Sequence, residues 1–358
     1  MNINFISFQV KTIKNQHYSF LFIILISFSF FACKDSKIEQ VDRAFYYWKS
    51  HSWGWNTNES SVVDKHQIKK IYVKFFEVDY SKAMGNFPIS KTQMYMHGQD
   101  SLEIIPTVYL KNSVFLNASR GSLDTLADNV NFLINKYAKE KFDRQKMPRE
   151  IQMDCDWTLK SKDNYFYFLQ KLKEIAKKDI SCTLRLYPYK YPEKMGVPPV
   201  DKVTLMCYNL LSPLQNHTKN TILDLQELES YVKNVKKYPL HLDVALPVYS
   251  WMQVYQNDRF SDVIYTDNQQ VKKVLKPVKP LWFEVTTDTV VNETYLRRGD
   301  QVKFEEITAD KIQQAIVILK KHIDFDKQTT VTLFHLDAQQ LNNYSHEEIA
   351  RFFTDFSQ

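Results

Sequence analysis

Short apolar runs with a two-residue alternation recur along the chain, separated by stretches whose apolar residues fall at helical spacing. Runs near 44–48, 71–78, 103–109, 150–157, 180–187, 202–209, 240–248 and 330–336 read as strands. Residues 62–69, 123–141, 164–178, 225–236 and 309–322 read as helices. In the second of these, Leu126, Val130, Leu133, Ile134 and Tyr137 make one face; in the third, Phe168, Leu169, Leu172 and Ile175 do. Pro106 is awkward for a central strand and leaves that boundary open. Strand alternating with helix predicts parallel strands joined by crossover helices. About eight such strands, with no glycine-rich turn after the early ones, predict a closed α/β barrel of the (β/α)8, TIM-like type rather than an open dinucleotide-binding sheet. Residues 255–306 break the rhythm with short β-like pieces, so a small β-rich insertion is expected before the last helix and strand. Within it, Arg297-Arg-Gly-Asp300 reads as a hairpin turn. The barrel proper is expected over 44–358.

The most informative stretch is Glu150-Ile-Gln-Met-Asp-Cys-Asp-Trp-Thr158. As a strand it puts Gln152, Asp154, Asp156 and Thr158 on one face and Ile151, Met153, Cys155 and Trp157 on the other. Burying a carboxylate is costly unless it is paired or hydrogen-bonded. Two on one face near the C-terminal end of a strand therefore mark a candidate site. The plainer alternative is a pair of solvated acids at a strand end.

The first residues follow a different pattern. Lys11 and Lys14 precede an apolar run over 18–31, then Ala32-Cys33. A basic region, a short apolar core and a small residue make the layout of a secretory signal, and the run is short of the roughly 20 residues a membrane span needs. The small residue before Cys33 resembles the lipobox of bacterial lipoproteins, with Phe30 where leucine is preferred. The resemblance implies lipid on Cys33, a signal peptide over 1–33, a polar tether over 34–43 and attachment to the bacterial cell envelope. Lys34-Asp35 is similar to the start of lipoproteins sent to the outer membrane.

Removing residues 1–32 lowers the formal charge from +6 to +4, which is mild for this length. No basic stripe with interleaved aromatics is present, so nucleic-acid binding has no support. Cys155, Cys182 and Cys207 sit in apolar strand-like runs and read as small buried hydrophobes. No cysteine or histidine spacing resembles a metal site, and no phosphate loop, nucleophile elbow or paired-histidine helix motif occurs, so neither metal nor cofactor is expected.

Three stretches resemble the chitinase-like family 18 of the glycoside hydrolases. Asp154 and Asp156 match the second and third acids of its Asp-x-x-Asp-x-Asp-x-Glu strand motif, and Trp157 its aromatic. Met206-Cys-Tyr-Asn209 matches a later Met-x-Tyr-Asp/Asn motif, and Ala245-Leu-Pro-Val-Tyr249 echoes the next strand. The family also often inserts a small α+β module near where 255–306 falls. The resemblance implies a barrel with a sugar-sized cleft. It departs at two positions: Ile151 replaces the first acid, and Thr158 stands where the proton-donating Glu belongs. A threonine cannot be the general acid. A bacterial lipoprotein branch of the same barrel clan, with a hydrophobic-Asp-x-Asp strand and no Glu, is similar in this respect.

Glu77 and Asp79, at the end of the second strand, are the candidates to supply the missing acid, because barrel active sites gather at that end. Asp337 ends the last strand in the same way. Arg185, with Tyr187 on the same face, is a candidate to bind ligand or to neutralise Asp154 and Asp156; Tyr208, Asn209, Tyr249 and Trp251 are candidate sugar contacts, with core filling as the alternative for the aromatics. Asp243 reads as a structural partner of Arg185, with a buried pKa-shifted group as the alternative. His241 and His335 read as core histidines. The sequence thus points to a lipid-anchored barrel with a carbohydrate ligand, either an atypical glycoside hydrolase or a non-catalytic glycan-binding or envelope scaffolding protein.

Overall fold

The computed structural model describes residues 38–50, 55–89, 91, 102–141, 148–265 and 271–357. Residues 1–37, which hold the expected signal segment, Cys33 and the start of the expected tether, lie outside the described residues. Among those described, eight parallel strands close a barrel: β1 (Gln40–Tyr47), β2 (Lys70–Ser81, with its antiparallel hairpin partner β3, Gly85–Ile89), β4 (Glu103–Leu110), β5 (Glu150–Asp154), β6 (Asp179–Leu184), β7 (Lys202–Met206), β8 (His241–Pro247) and, after the insertion, a last strand at Gln328–Phe334. That last strand pairs with both β8 and β1, and β1 pairs with β2, which closes the ring. The helices α1 (Thr57–Lys65), α2 (Ser113–Leu116), α3 (Arg120–Lys141), α4 (Lys162–Ala176), α5 (Leu186–Lys190), α6 (Pro192–Met195) and α7 (Leu225–Val232) fill the crossovers. Then come α8 (Ala309–His322), α9 (Ala338–Leu341) and α10 (His346–Thr354). Capping boxes fix the starts of α1, by Asn56 and Glu59, and α10, by Ser345 and Glu348.

The alternation in each strand sorts side chains between two environments. Ile151, Met153, Ile180, Cys182, Val203 and Leu205 are buried and point toward the helix layer. The other phase fills the barrel, and it is polar. The Tyr46 hydroxyl donates to Gln152 Oε1 (2.9 Å), and Gln152 Nε2 donates to Thr204 Oγ1 (3.2 Å), so bonds cross the interior between non-adjacent strands. Toward the N-terminal ends of the strands, Lys202 Nζ lies 2.9 Å from Glu150 and 3.1 Å from Asp243. Asp243 also accepts from the Thr330 N–H (2.7 Å) and lies 3.2 Å from His241. The expected pairing of Asp243 with Arg185 is therefore corrected: strand register brings Lys202 beside Asp243, since Lys202 sits directly opposite His241 on β8.

Several strands end earlier than the alternation predicts. β5 stops at Asp154, β6 at Leu184, β7 at Met206 and β8 at Pro247. Past those points the residues still alternate in type but turn away into the loops that form the barrel mouth. At the other end, β1 begins at Gln40, so residues 40–43 belong to the barrel and not to a tether. Pro106 sits inside β4, whose pairing with β5 begins only at Thr107, so no ladder bond to β5 is lost there.

The insertion folds around its own small core of Met252, Val254, Ile264, Val285, Leu296, Val302 and Phe304. Its strands are β9 (Trp251–Gln256), β10 (Arg259–Ile264), β11 (Leu275–Lys279), β12 (Trp282–Val285), β13 (Thr289–Val291), β14 (Thr294–Leu296) and β15 (Gln301–Glu305), which makes the last barrel strand β16. Residues 297–300 do form a turn, but it joins β14 to β15, which lie in different sheets, so it is not a hairpin turn. A fully buried Lys303–Glu305 pair fastens this sheet to the loop after β7: Lys303 donates to the Asn216 carbonyl, and Glu305 Oε2 accepts from Thr221 Oγ1 and Trp251 Nε1, both at 2.6 Å.

Candidate active site

At the C-terminal mouth of the barrel, register lines up Glu77, Tyr109 and Asp154 on neighbouring strands β2, β4 and β5. A bulge in β2 after Lys74 shifts the phase by one, so Lys74 and Glu77 share a side and pair at 2.6 Å. Asp154 is 7% exposed and accepts from Thr183 Oγ1 at 2.6 Å. Burial, then the charge of Asp156, raise its pKa to about 7; the Thr183 bond and Arg185 work in the opposite direction. Tyr109 is pushed up to about 12 by burial and then by Asp154 and Asp156.

Asp156 lies just past the strand, with its side chain 54% exposed and 3.0 Å from Arg185 Nε. Arg185 also donates to the Tyr208 carbonyl at 3.3 Å, which fixes the guanidinium between β6 and β7. Asp154 and Asp156 thus differ sharply in surroundings although they share a phase. One is enclosed with hydroxyl support, the other is ion-paired at the rim. Trp157 turns outward onto Tyr165 and Phe166 of α4, with ring centroids 5.5 and 5.9 Å away. Thr158 is exposed, and its N–H donates to Ser161 Oγ at 2.9 Å. A cleft of about 770 Å³ opens beside these residues and reaches Asp156, Thr158, Arg185 and Tyr187.

The other predicted residues separate into three groups. Glu77 joins Asp154 and adds a weak push to its pKa. Asp79 and Asp337 are each paired with a lysine: Lys111 (2.6 Å) with the Tyr80 N–H holds Asp79 below the usual carboxylate range. For Asp337 burial opposes ionisation, but Lys49 at 2.9 Å outweighs it, and the carboxylate caps α9. Tyr208 and Tyr249 are buried in an aromatic floor with Phe334, at 4.9 and 5.7 Å between centroids, so they do not offer free stacking faces. The Tyr249 hydroxyl donates to Asn209 Oδ1 (2.6 Å), and Trp251 belongs to β9, its indole tied to Glu305. Tyr187 leaves the strand and enters α5, so it no longer shares a strand face with Arg185. Burial drives His335 down to about 4, so it is neutral.

Two contributors were missed in the sequence. Trp48 packs on Phe334 at 5.7 Å, and the Lys74 ammonium lies 5.7 Å over the Trp48 ring. Lys74 is only 4% exposed; a lysine between apolar residues in a barrel strand was the available signal. Cys155, Cys182 and Cys207 are buried and unpaired. Among the described residues, no group of three or more His, Cys, Asp or Glu could hold a metal ion.

No protein-family profile and no curated protein matches the chain. Solved structures do match in fold. The spore cortex-lytic enzyme SleL of Bacillus cereus aligns with a TM-score of 0.54 and 13% identity, over 89% of this chain and 75% of that one. SleL of Bacillus megaterium QM B1551 aligns at 0.53 and 15%, over 87% and 74%. The C-terminal domain of a chitinase-named protein from Desulfitobacterium hafniense DCB-2 aligns at 0.53 and 10%, over 90% and 100%. At these identities the likeness is one of architecture alone: a closed (β/α)8 barrel.

Proposed function

We propose that this protein is a glycan-binding barrel that cleaves glycosidic bonds at its mouth, with Asp154 as proton donor and Asp156 as the ionised partner. The observation that carries the reading is the environment of Asp154: a carboxyl with a pKa of about 7 is protonated in a useful fraction near neutrality, which is what a general acid needs. Asp156, held by Arg185, remains available to stabilise positive charge developing on a sugar ring. Barrel folds shared with a cortex-lytic enzyme and a chitinase-named protein support a polysaccharide substrate by analogy of fold. The test is release of reducing ends from N-acetylglucosamine oligomers and cell-wall glycan by protein lacking residues 1–33. Activity that falls as pH rises through about 7, and is lost in Asp154→Asn with glycan binding retained, is expected. Unchanged turnover in Asp154→Asn refutes the assignment.

A second reading has its own support. Thr158 carries no acid, and Lys74 neutralises Glu77. A mouth without a third free carboxylate suits glycan binding without cleavage; binding with no turnover in the same assay selects it. Lipid attachment at Cys33 and residence in the bacterial cell envelope, at the outer membrane, belong to the same proposal, on the strength of the basic, apolar and Ala32-Cys33 pattern. Metabolic labelling with a fatty-acid analogue checks it, and undiminished labelling of Cys33→Ser excludes it.

A further inference from the structure

Beside Asp156 the mouth widens into a cleft whose walls differ from the enclosed Asp154 site. Leu116, Leu159 and Tyr187 are 39%, 50% and 39% exposed along it, and Trp157 and Met195 lie beneath. Its volume, about 770 Å³, is that of a site for a small ligand or one to two sugar units. Tyr187 is held in place: its ring packs on Tyr191 at 4.9 Å, and its hydroxyl accepts from Lys194 Nζ at 3.1 Å. One lining carboxylate, Asp156, faces two lining cations, Arg185 and Lys160. Arg185 already satisfies Asp156. Lys160 is exposed and, among the described residues, has no ion-pair partner. Nearby, Lys190 donates to the Ser230 carbonyl and Lys194 to the Tyr187 hydroxyl, each ammonium also lying over a tyrosine ring, with Glu193 as the acid on that side.

We infer that this cleft is a subsite for a pyranose that bears a carboxylate, stacked on Tyr187 and paired through Lys160. The inference rests on the glycan reading above and specifies the substrate class. An apolar floor with a fixed aromatic ring suits the face of a sugar, while a surplus of one unpaired cation selects an anionic substituent over a neutral one. The shared chemistry is a carboxylate on a pyranose, and it has two sources: a uronic acid, with the carboxyl on the ring, or an amino sugar carrying a lactyl ether.

Binding to the full mature chain is measured by calorimetry with three probes. These are N-acetylglucosamine tetramer, an oligoglucuronate, and the disaccharide of N-acetylglucosamine with N-acetylmuramic acid, the last two each beside its carboxyl-reduced form. Wild type is expected to prefer at least one acid form over its reduced form by roughly fivefold, the scale of a partly exposed ion pair. Lys160→Gln should lose that preference while binding the neutral tetramer as before, and added salt should erode it. Whichever acid shows the preference identifies the source. Equal binding of acid and reduced forms by wild type, or an undiminished preference in Lys160→Gln, overturns the inference; tetramer binding in that case leaves the glycan reading standing. If no probe binds, both fail.

Discussion

Two buried aspartates at opposite ends of one barrel titrate in opposite directions. Asp243, near the N-terminal ends of the strands, is 0% exposed, and its pKa is lowered to about 2. Asp154, at the mouth, is 7% exposed and is raised to about 7. Burial disfavours the charge in both and is the largest influence in both. The difference lies in the partners. His241, Lys202 and the Thr330 N–H converge on Asp243 and outweigh its burial. Asp154 has one hydroxyl, a distant share of Arg185, and a second carboxylate that adds to the cost of its charge. A barrel interior can therefore hold a carboxylate in either state, and counting cations within reach tells which. One end holds its acid ionised; the other raises the pKa of its acid to about 7.

The largest test of that contrast is Lys202→Met. It leaves Glu150 and Asp243 facing each other without the cation they share, and should cost about 3–5 kcal/mol in denaturant unfolding, since breaking a buried pair strands its partner. A loss under 1 kcal/mol would show that the stabilising end does not depend on its cation. At the mouth the expected sign reverses. The folded pKa of Asp154 lies above its ordinary 3.8, so its contribution to stability is full below about pH 4 and is lost as pH rises through about 7. Asp154→Asn should then be more stable than the parent by about 4 kcal/mol at pH 8 and close to it at pH 4. A variant that melts below the parent at pH 8 makes Asp154 a structural group.

Asp243 gives the mirror image. Its folded pKa lies below 3.8, so the stability it contributes is present above about pH 4 and falls away as pH drops through about 2, by about 2 kcal/mol. Acid unfolding of Asp243→Asn beside the parent checks this: the slope between those values should shrink. The smallest effect sharpens the comparison most. Asp156→Asn removes the repulsion but not the burial, so the Asp154 carboxyl should titrate below 7 yet above the ordinary carboxylate range. Carbon-detected NMR of that carboxyl reads it directly, and an unmoved midpoint would assign the shift to burial alone.

Much of this was legible in the chain. Strand and helix order, the barrel, the insertion, the shared phase of Asp154 and Asp156, and the outward turn of Trp157 onto α4 all follow from periodicity, which is a local property of consecutive residues. The Arg185–Asp156 pair was also anticipated, because adjacent strands bring their ends together. Partners across the barrel were not. Asp243 looked like a match for Arg185 by charge alone, yet register gives it Lys202 from β7 and His241 from its own strand. Tyr208 and Tyr249 read equally as sugar contacts or as core, and closure of the ring against Phe334 buried them. Asp79 looked equivalent to Glu77, and each met a lysine at 2.6 Å, but register lines up only Glu77 with Tyr109 and Asp154.

By itself, the sequence determined the alternation within each regular stretch of strand, since backbone pleating sends successive side chains to opposite faces; the bulge after Lys74 and the early ends of β5 and β6 were set by the closed barrel. Only the tertiary structure decided the protonation state of each buried acid. That state depends on distance to charges and on exclusion of water, and both are set by strands that are remote in sequence and adjacent only once the barrel has closed.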